Sequence, residues 1–170
     1  MRKVVAIITC ILALGFVNYA IYSKERHLSQ GETVLLELAP VDPRSLMQGD
    51  YMALRFAIAN QARQAVQARM ETTSQLLTFD GYIVVKKDDR HIASYVRLAD
   101  GSQTEKGELK MQFRIRNGVV KFATNAFFFQ EGHASRYESA RYGEFKVNAD
   151  GELLLVAMLN NELELLGAEL

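Results

Sequence analysis

Between Val4 and Tyr22 the chain carries no charged side chain, and Ile, Val, Leu, Ala and Phe dominate. No other stretch limits so strongly what this sequence can fold into. At roughly 1.5 Å of rise per residue, these about 19 residues nearly match the ~30 Å hydrocarbon thickness of a bilayer. A helix apolar on every side also lacks the polar face that a core helix of a soluble domain turns to water. Residues 1–23 are therefore read as an uncleaved transmembrane anchor. A cleaved signal peptide is the competing reading, but the small-x-small pattern is poor around Asn18, Tyr19 and Ala20, and an earlier cut near Gly15 would leave a short apolar core. Cys10 follows Ile7-Ile8-Thr9, without the small residue that lipoprotein cleavage requires ahead of its cysteine, and reads as an apolar helix residue. Arg2 and Lys3 precede the run, while Lys24, Glu25 and Arg26 follow it with less net positive charge. The positive-inside rule then places the N-terminus in the cytoplasm and the rest of the chain outside it.

Residues 24–32 are polar and read as a short tether or a helical extension of the anchor, which leaves residues 33–170 as a single domain. Twenty basic residues balance twenty acidic ones, so the counterion release that drives nucleic-acid binding has no obvious source, and no nucleic-acid partner is expected. One cysteine and three scattered histidines make neither a disulfide framework nor a zinc site of the usual composition, and neither metal nor cofactor is expected.

The domain reads mostly as strands. Met111, Phe113 and Ile115 alternate with Lys110, Gln112, Arg114 and Arg116, and Asn117-Gly118 then supplies the positive φ values of a type I′ turn. A second hairpin joins residues 81–87 to 91–98 across Asp88-Asp89, and a third joins 143–147 to 152–159 across residues 148–151. Leu153 to Leu159 is apolar at both parities, as in a central strand covered on both faces. Leu35, Leu36 and Leu38 mark an early strand that Pro40 ends. Ala59–Thr73 is rich in helix formers, with a thin stripe of Ala62, Val66 and Met70, and a short helical turn is expected within 134–140. The fold class is mainly β with minor α: an antiparallel barrel or sandwich following an N-terminal transmembrane helix.

The most distinctive stretch is Ala39–Phe56, in which the only two prolines, Pro40 and Pro43, bracket Val41-Asp42 and Gly49-Asp50 turns the chain into an alternating strand. Asp50 can accept backbone N–H bonds in that turn, and Arg44 can pair with Asp42 or Asp50 as a planar donor. Asp42, Arg44, Asp50, Tyr51 and Arg55 are the first set of candidate interaction or ligand residues, weighed against a loop pinned by hydrogen bonds. Gly49-Asp50-Tyr51-Met52-Ala53-Leu54-Arg55-Phe56 resembles the signature of the GDYXXLXY family, with Phe56 where the motif has tyrosine. The preceding VDPRSLMQ and the later FFFQEGHASRYESARYGEFKV also look like that family. The resemblance implies a bacterial, membrane-linked protein, often encoded beside multi-spanning membrane proteins; with the flanking charges of the apolar run, the expected location is the inner membrane with the C-terminal domain periplasmic. The resemblance implies no reaction.

The second candidate set is Gln130, Glu131, Arg136, Tyr137, Glu138, Arg141, Tyr142 and Glu144, with Phe127, Phe128 and Phe129 expected to bury one end of the segment. Glu131 and Glu138 could do acid–base work if they converged and one were buried. A structural network of Arg136, Glu138, Arg141 and Glu144 is the more economical reading, and His133 reads as a loop residue. No P-loop, HExxH or nucleophile elbow occurs.

The leading expectation is an accessory or interaction module for an integral membrane protein or envelope partner. The alternative is a small-molecule binding or sensing domain with a pocket at the barrel mouth. A serine–lysine hydrolase using Ser45 with Lys86 or Lys87 is a distant third, since both lysines sit beside a charged bend.

Overall fold

Helix α1 (Arg2–Gln30) carries the apolar run, and its large side chains from Val4 to Tyr22 are all exposed. In this computed structural model, which describes residues 2–39, 47–48, 51–70, 78–124 and 126–167, it is the one helix long and apolar enough to cross a membrane. Residues 24–30 are its last turns. There the helix meets the domain: His27 is only 7% exposed and its Nε2 lies 2.9 Å from the Lys146 carbonyl oxygen. The Gly31 N–H donates to the His27 carbonyl at 2.9 Å. A Cβ at Gly31 would stand 2.5 Å from that carbonyl oxygen and 2.9 Å from the Lys146 Cβ, so only glycine lets the helix end seat this closely on the sheet.

The strands are β1 (Glu32–Glu37), β2 (Met47–Gln48), β3 (Tyr51–Ala53), β4 (Thr78–Lys87), β5 (Ala93–Leu98), β6 (Glu108–Arg116), β7 (Val119–Lys121), β8 (Ala126–Phe128), β9 (Tyr142–Val147) and β10 (Leu153–Leu159). Helix α2 (Ala59–Arg69) and a 3₁₀ turn (Ala134–Tyr137) complete the described elements. The strands form three antiparallel sheets, ordered β5-β4-β6-β7, β1-β9-β10 and β2-β3-β8. All three predicted hairpins are present. Asn117 and Gly118, at φ 52° and 76°, supply the left-handed turn between β6 and β7.

The sheets wrap one core. Leu35 bridges to Ile92, Leu38 to Phe56, and the Gln112 N–H reaches the Gly151 carbonyl at 2.7 Å. Val34, Leu36, Met52, Leu54, Phe56, Ile83, Val85, Met111, Phe113, Ile115, Phe122, Phe145 and Met158 meet inside. Phe56 lies edge-on to Phe122 and Phe145, with ring centroids 5.9 and 5.5 Å away, the arrangement the ring quadrupole favours.

Three expectations are corrected. Helices are mixed with antiparallel sheets, and among the described residues no barrel closes. The physical reason is visible at β7: it pairs with β6 only as far as Arg114, so the Gln112 N–H turns to Gly151 and a seam opens between β7 and β10. Second, β10 is an edge strand. A bulge between Leu155 and Ala157 interrupts its pairing with β9, Val156 is 43% exposed, and its outer side is met by the chain folding back through Leu165 and the Leu166 N–H to Met158 carbonyl bond. Third, α2 ends at Arg69, with Ala62 and Val66 buried but Met70 half exposed.

Candidate functional site

The motif strand splits by parity. Met52, Leu54 and Phe56 are each at most 3% exposed, while Tyr51 is half-buried and Arg55 exposed. Backbone bonds tie this segment to β1: Ala39 N–H to the Arg55 carbonyl at 2.7 Å, and Ala57 N–H to the Glu37 carbonyl at 2.9 Å. The last motif position is thus a core ring packed among other phenylalanines. Asp42, Arg44 and Asp50, with the pairings expected of them, lie outside the described residues, as does Ser45.

Pairing of β3 with β8 brings the two candidate segments together. Tyr51 stands opposite Phe128, Met52 opposite Phe127, and Ala53 opposite Ala126. The Tyr51 and Phe128 rings lie 5.7 Å apart, and Phe128 is 74% exposed. The expectation that all three phenylalanines bury this end is therefore corrected: alternation along the strand turns Phe127 and Phe129 inward onto Tyr137, at 5.0 and 5.4 Å, and leaves Phe128 outside.

Beyond β8, Gln130, Glu131, Arg136, Glu138 and Arg141 are exposed, and Tyr142 and Glu144 are half-buried on β9. The expected network does not form: among the described residues no ion pair joins Arg136, Glu138, Arg141 and Glu144. Arg136 and Glu138 are two residues apart at a 3₁₀ turn and point in different directions, while Arg141 and Glu144 differ by an odd step leading into a strand. What Arg141 contributes is backbone: its carbonyl accepts the Leu38 N–H and its N–H donates to the Leu159 carbonyl, each at 2.8 Å. Glu131 and Glu138 both face water, without the apolar surroundings that prepare a carboxylic acid for proton transfer.

Charge is paired elsewhere. Lys87 is ion-paired with Glu32 and Lys86 is exposed, so neither is the desolvated amine a serine–lysine reaction needs. Arg97 holds the Glu108 carboxyl below the ordinary range at 2.6 Å, helped by the Glu105 N–H. Arg116 does the same for Asp80, its two terminal nitrogens reaching both carboxylate oxygens at 2.6 and 2.9 Å. Among the described residues no three His, Cys, Asp or Glu side chains are grouped to hold a metal.

Sequence reasoning missed two features. Phe128 was not singled out as an exposed ring, although strand parity in Phe127-Phe128-Phe129 carries that signal. The seam between β7 and β10 holds a cavity of about 420 Å³ lined by Lys24, Arg114, Lys121 and Glu152 among others, which no local pattern marks because its walls come from four elements. Further cavities of about 720 and 370 Å³ lie beside Gln30 and Glu32 and around His27. Tyr51, Arg55 and the 130–144 segment line none of these three.

A family model described as GDYXXLXY protein matches residues 13–158. No curated protein and no solved structure matches the chain.

Proposed function

The chain belongs to the GDYXXLXY family, and from that premise we propose that it is a single-pass inner-membrane protein whose extracytoplasmic domain, residues 33–170, serves as an accessory module for an integral membrane protein or envelope partner. The observation that carries this reading is the bare surface of α1, whose side chains from Val4 to Tyr22 are covered by no part of the domain. Large aliphatic side chains at this density are stable in hydrocarbon and costly in water. The seating of His27 and Gly31 against Lys146 fixes the domain to the helix end, so the domain is held at one orientation to the bilayer.

The partner face is the outer side of β3 and β8. An exposed ring at Phe128, backed by Tyr51 and followed two residues on by the exposed Gln130, has the mix of aromatic and polar groups that recurs at interface centres. A sensing domain would instead place the motif and the 130–144 segment around a pocket; among the described residues Tyr51, Arg55 and the 130–144 segment line none of the three cavities given above.

Co-purification from detergent-solubilised membranes tests the reading. Phe128→Ser should keep the wild-type melting temperature and lose a membrane-protein partner that the wild type retains. Equal recovery of that partner by the two chains, or recovery of the full-length chain in the soluble fraction, would overturn it.

A further inference from the structure

We infer that the seam cavity between β7 and β10 is a binding site for a phosphate oxyanion, presented where α1 leaves the membrane. The inference rests on the anchored reading of α1 for the ligand's source, and on the cavity itself for its chemistry. Arg114 on β6 and Lys121 on β7 stand directly opposite each other in the ladder, and both line the cavity with Lys24 of α1. Like charges placed face to face across two strands repel and cost stability. Neighbouring acids relieve them only in part: the Arg114 charge adds to the pull that holds the Asp80 carboxyl below its ordinary value, but Arg116 is the main cause. Asp80, which is opposite Arg114 on the other side, gives both carboxylate oxygens to Arg116. Glu152, the one carboxylate in the lining, accepts from the Asn148 amide at 3.1 Å.

Among the described residues Lys24, Arg114 and Lys121 enter no ion pair, and the Arg114 guanidinium makes a single bond, to the Ala123 carbonyl at 3.3 Å. Its remaining donors suit a tetrahedral oxyanion, which a planar guanidinium binds in two-point fashion while ammonium groups add charge. Leu154 and Leu155 supply an apolar wall beside these cations. Lys24 is two residues past Tyr22, about 3 Å along the helix axis, so the cavity stands at the level of the headgroups when the apolar run is embedded. An anionic glycerophospholipid meets all of these terms, with its phosphate on the cations and its glycerol against the leucines.

The test uses the full chain in a neutral maltoside detergent, titrated separately with dihexanoyl phosphatidylglycerol, dihexanoyl phosphatidylcholine and inorganic phosphate. The phosphatidylglycerol should bind saturably and the phosphatidylcholine at least tenfold more weakly. Arg114→Gln with Lys121→Gln should weaken phosphatidylglycerol about 25-fold, at roughly fivefold for each cation removed. Saturable binding of inorganic phosphate at the same affinity, abolished by the same double variant, supports the site with a soluble source in place of the lipid. Equal binding of both lipids, or an affinity unchanged in the double variant, overturns the proposal. Without ligand the double variant should melt at or above the wild-type temperature, because a repulsive pair has gone. A lower melting temperature would make the pair structural and would also overturn it. Flotation with neutral phosphatidylcholine vesicles separates the two readings: wild type and double variant should float alike, and failure of both would sink the anchor while leaving the detergent titration to decide the site.

Discussion

The motif strand and the 130–144 segment lie side by side through the β3–β8 pairing, yet they are held in opposite ways. Every second residue of the motif, Met52, Leu54 and Phe56, is sunk in the core. The other segment joins the sheet only from Arg141 onward; before that its main contact with the core is one ring, Tyr137, laid against Phe127 and Phe129, and Glu131, Arg136 and Glu138 are exposed without ion-pair partners among the described residues. A pattern that looks like a site in sequence is here mainly a packing instruction, whereas the ordinary-looking Phe128 beside it is the exposed group.

The sharpest way to break this contrast is at Phe56. Truncation to alanine removes a ring packed against two others, and should cost about 3–5 kcal/mol in chemical denaturation. Phe56→Tyr asks a milder question: unless the buried hydroxyl finds an acceptor it should cost about 1–3 kcal/mol, and no loss would mean that the core already holds one. Tyr137→Ala should fall lower, at about 1–3 kcal/mol, because two ring pairs vanish from a half-exposed place. A loss equal to that of Phe56→Ala would erase the distinction between the two segments. Glu131→Ala and Arg136→Ala should each stay within about 0.5 kcal/mol of wild type, as exposed charges without partners do.

The smallest effect is expected with acid. The Asp80, Asp100 and Glu108 carboxyls are held below their ordinary values, by Arg116, Ser102 and Arg97 respectively. A depressed folded-state value means that stability is intact above the unfolded value and is lost as pH falls through the folded one. The loss therefore falls below about pH 4, near and under the ordinary carboxylate range. Melting temperatures from pH 7 to 3 should show Glu108→Gln falling less steeply than wild type in that window.

Much of the fold was legible because its signals are local. Asn117-Gly118 between two alternating runs can hardly be anything but a tight hairpin, and the uncharged stretch to Tyr22 reads as a helix without reference to any other part of the chain. The reading failed where the same local pattern serves two global places. Leu153–Leu159 is apolar at both parities whether it is central or, as here, a bulged edge covered by a returning C-terminal segment. The charges of residues 136–144 suggested a network, but whether they meet depends on the direction each side chain takes from a 3₁₀ turn and a strand.

What the sequence by itself determined is therefore the set of elements whose signals are local: the apolar N-terminal helix, the hairpins, the alternation of the motif strand and the family. Only the tertiary structure decided that β7 stops short of Gln112, that α1 seats at Gly31 on Lys146, and that Lys24, Arg114 and Lys121 share one cavity. Those facts depend on which distant backbones claim each other's N–H and carbonyl groups, a competition among all strands at once that no single stretch of residues records.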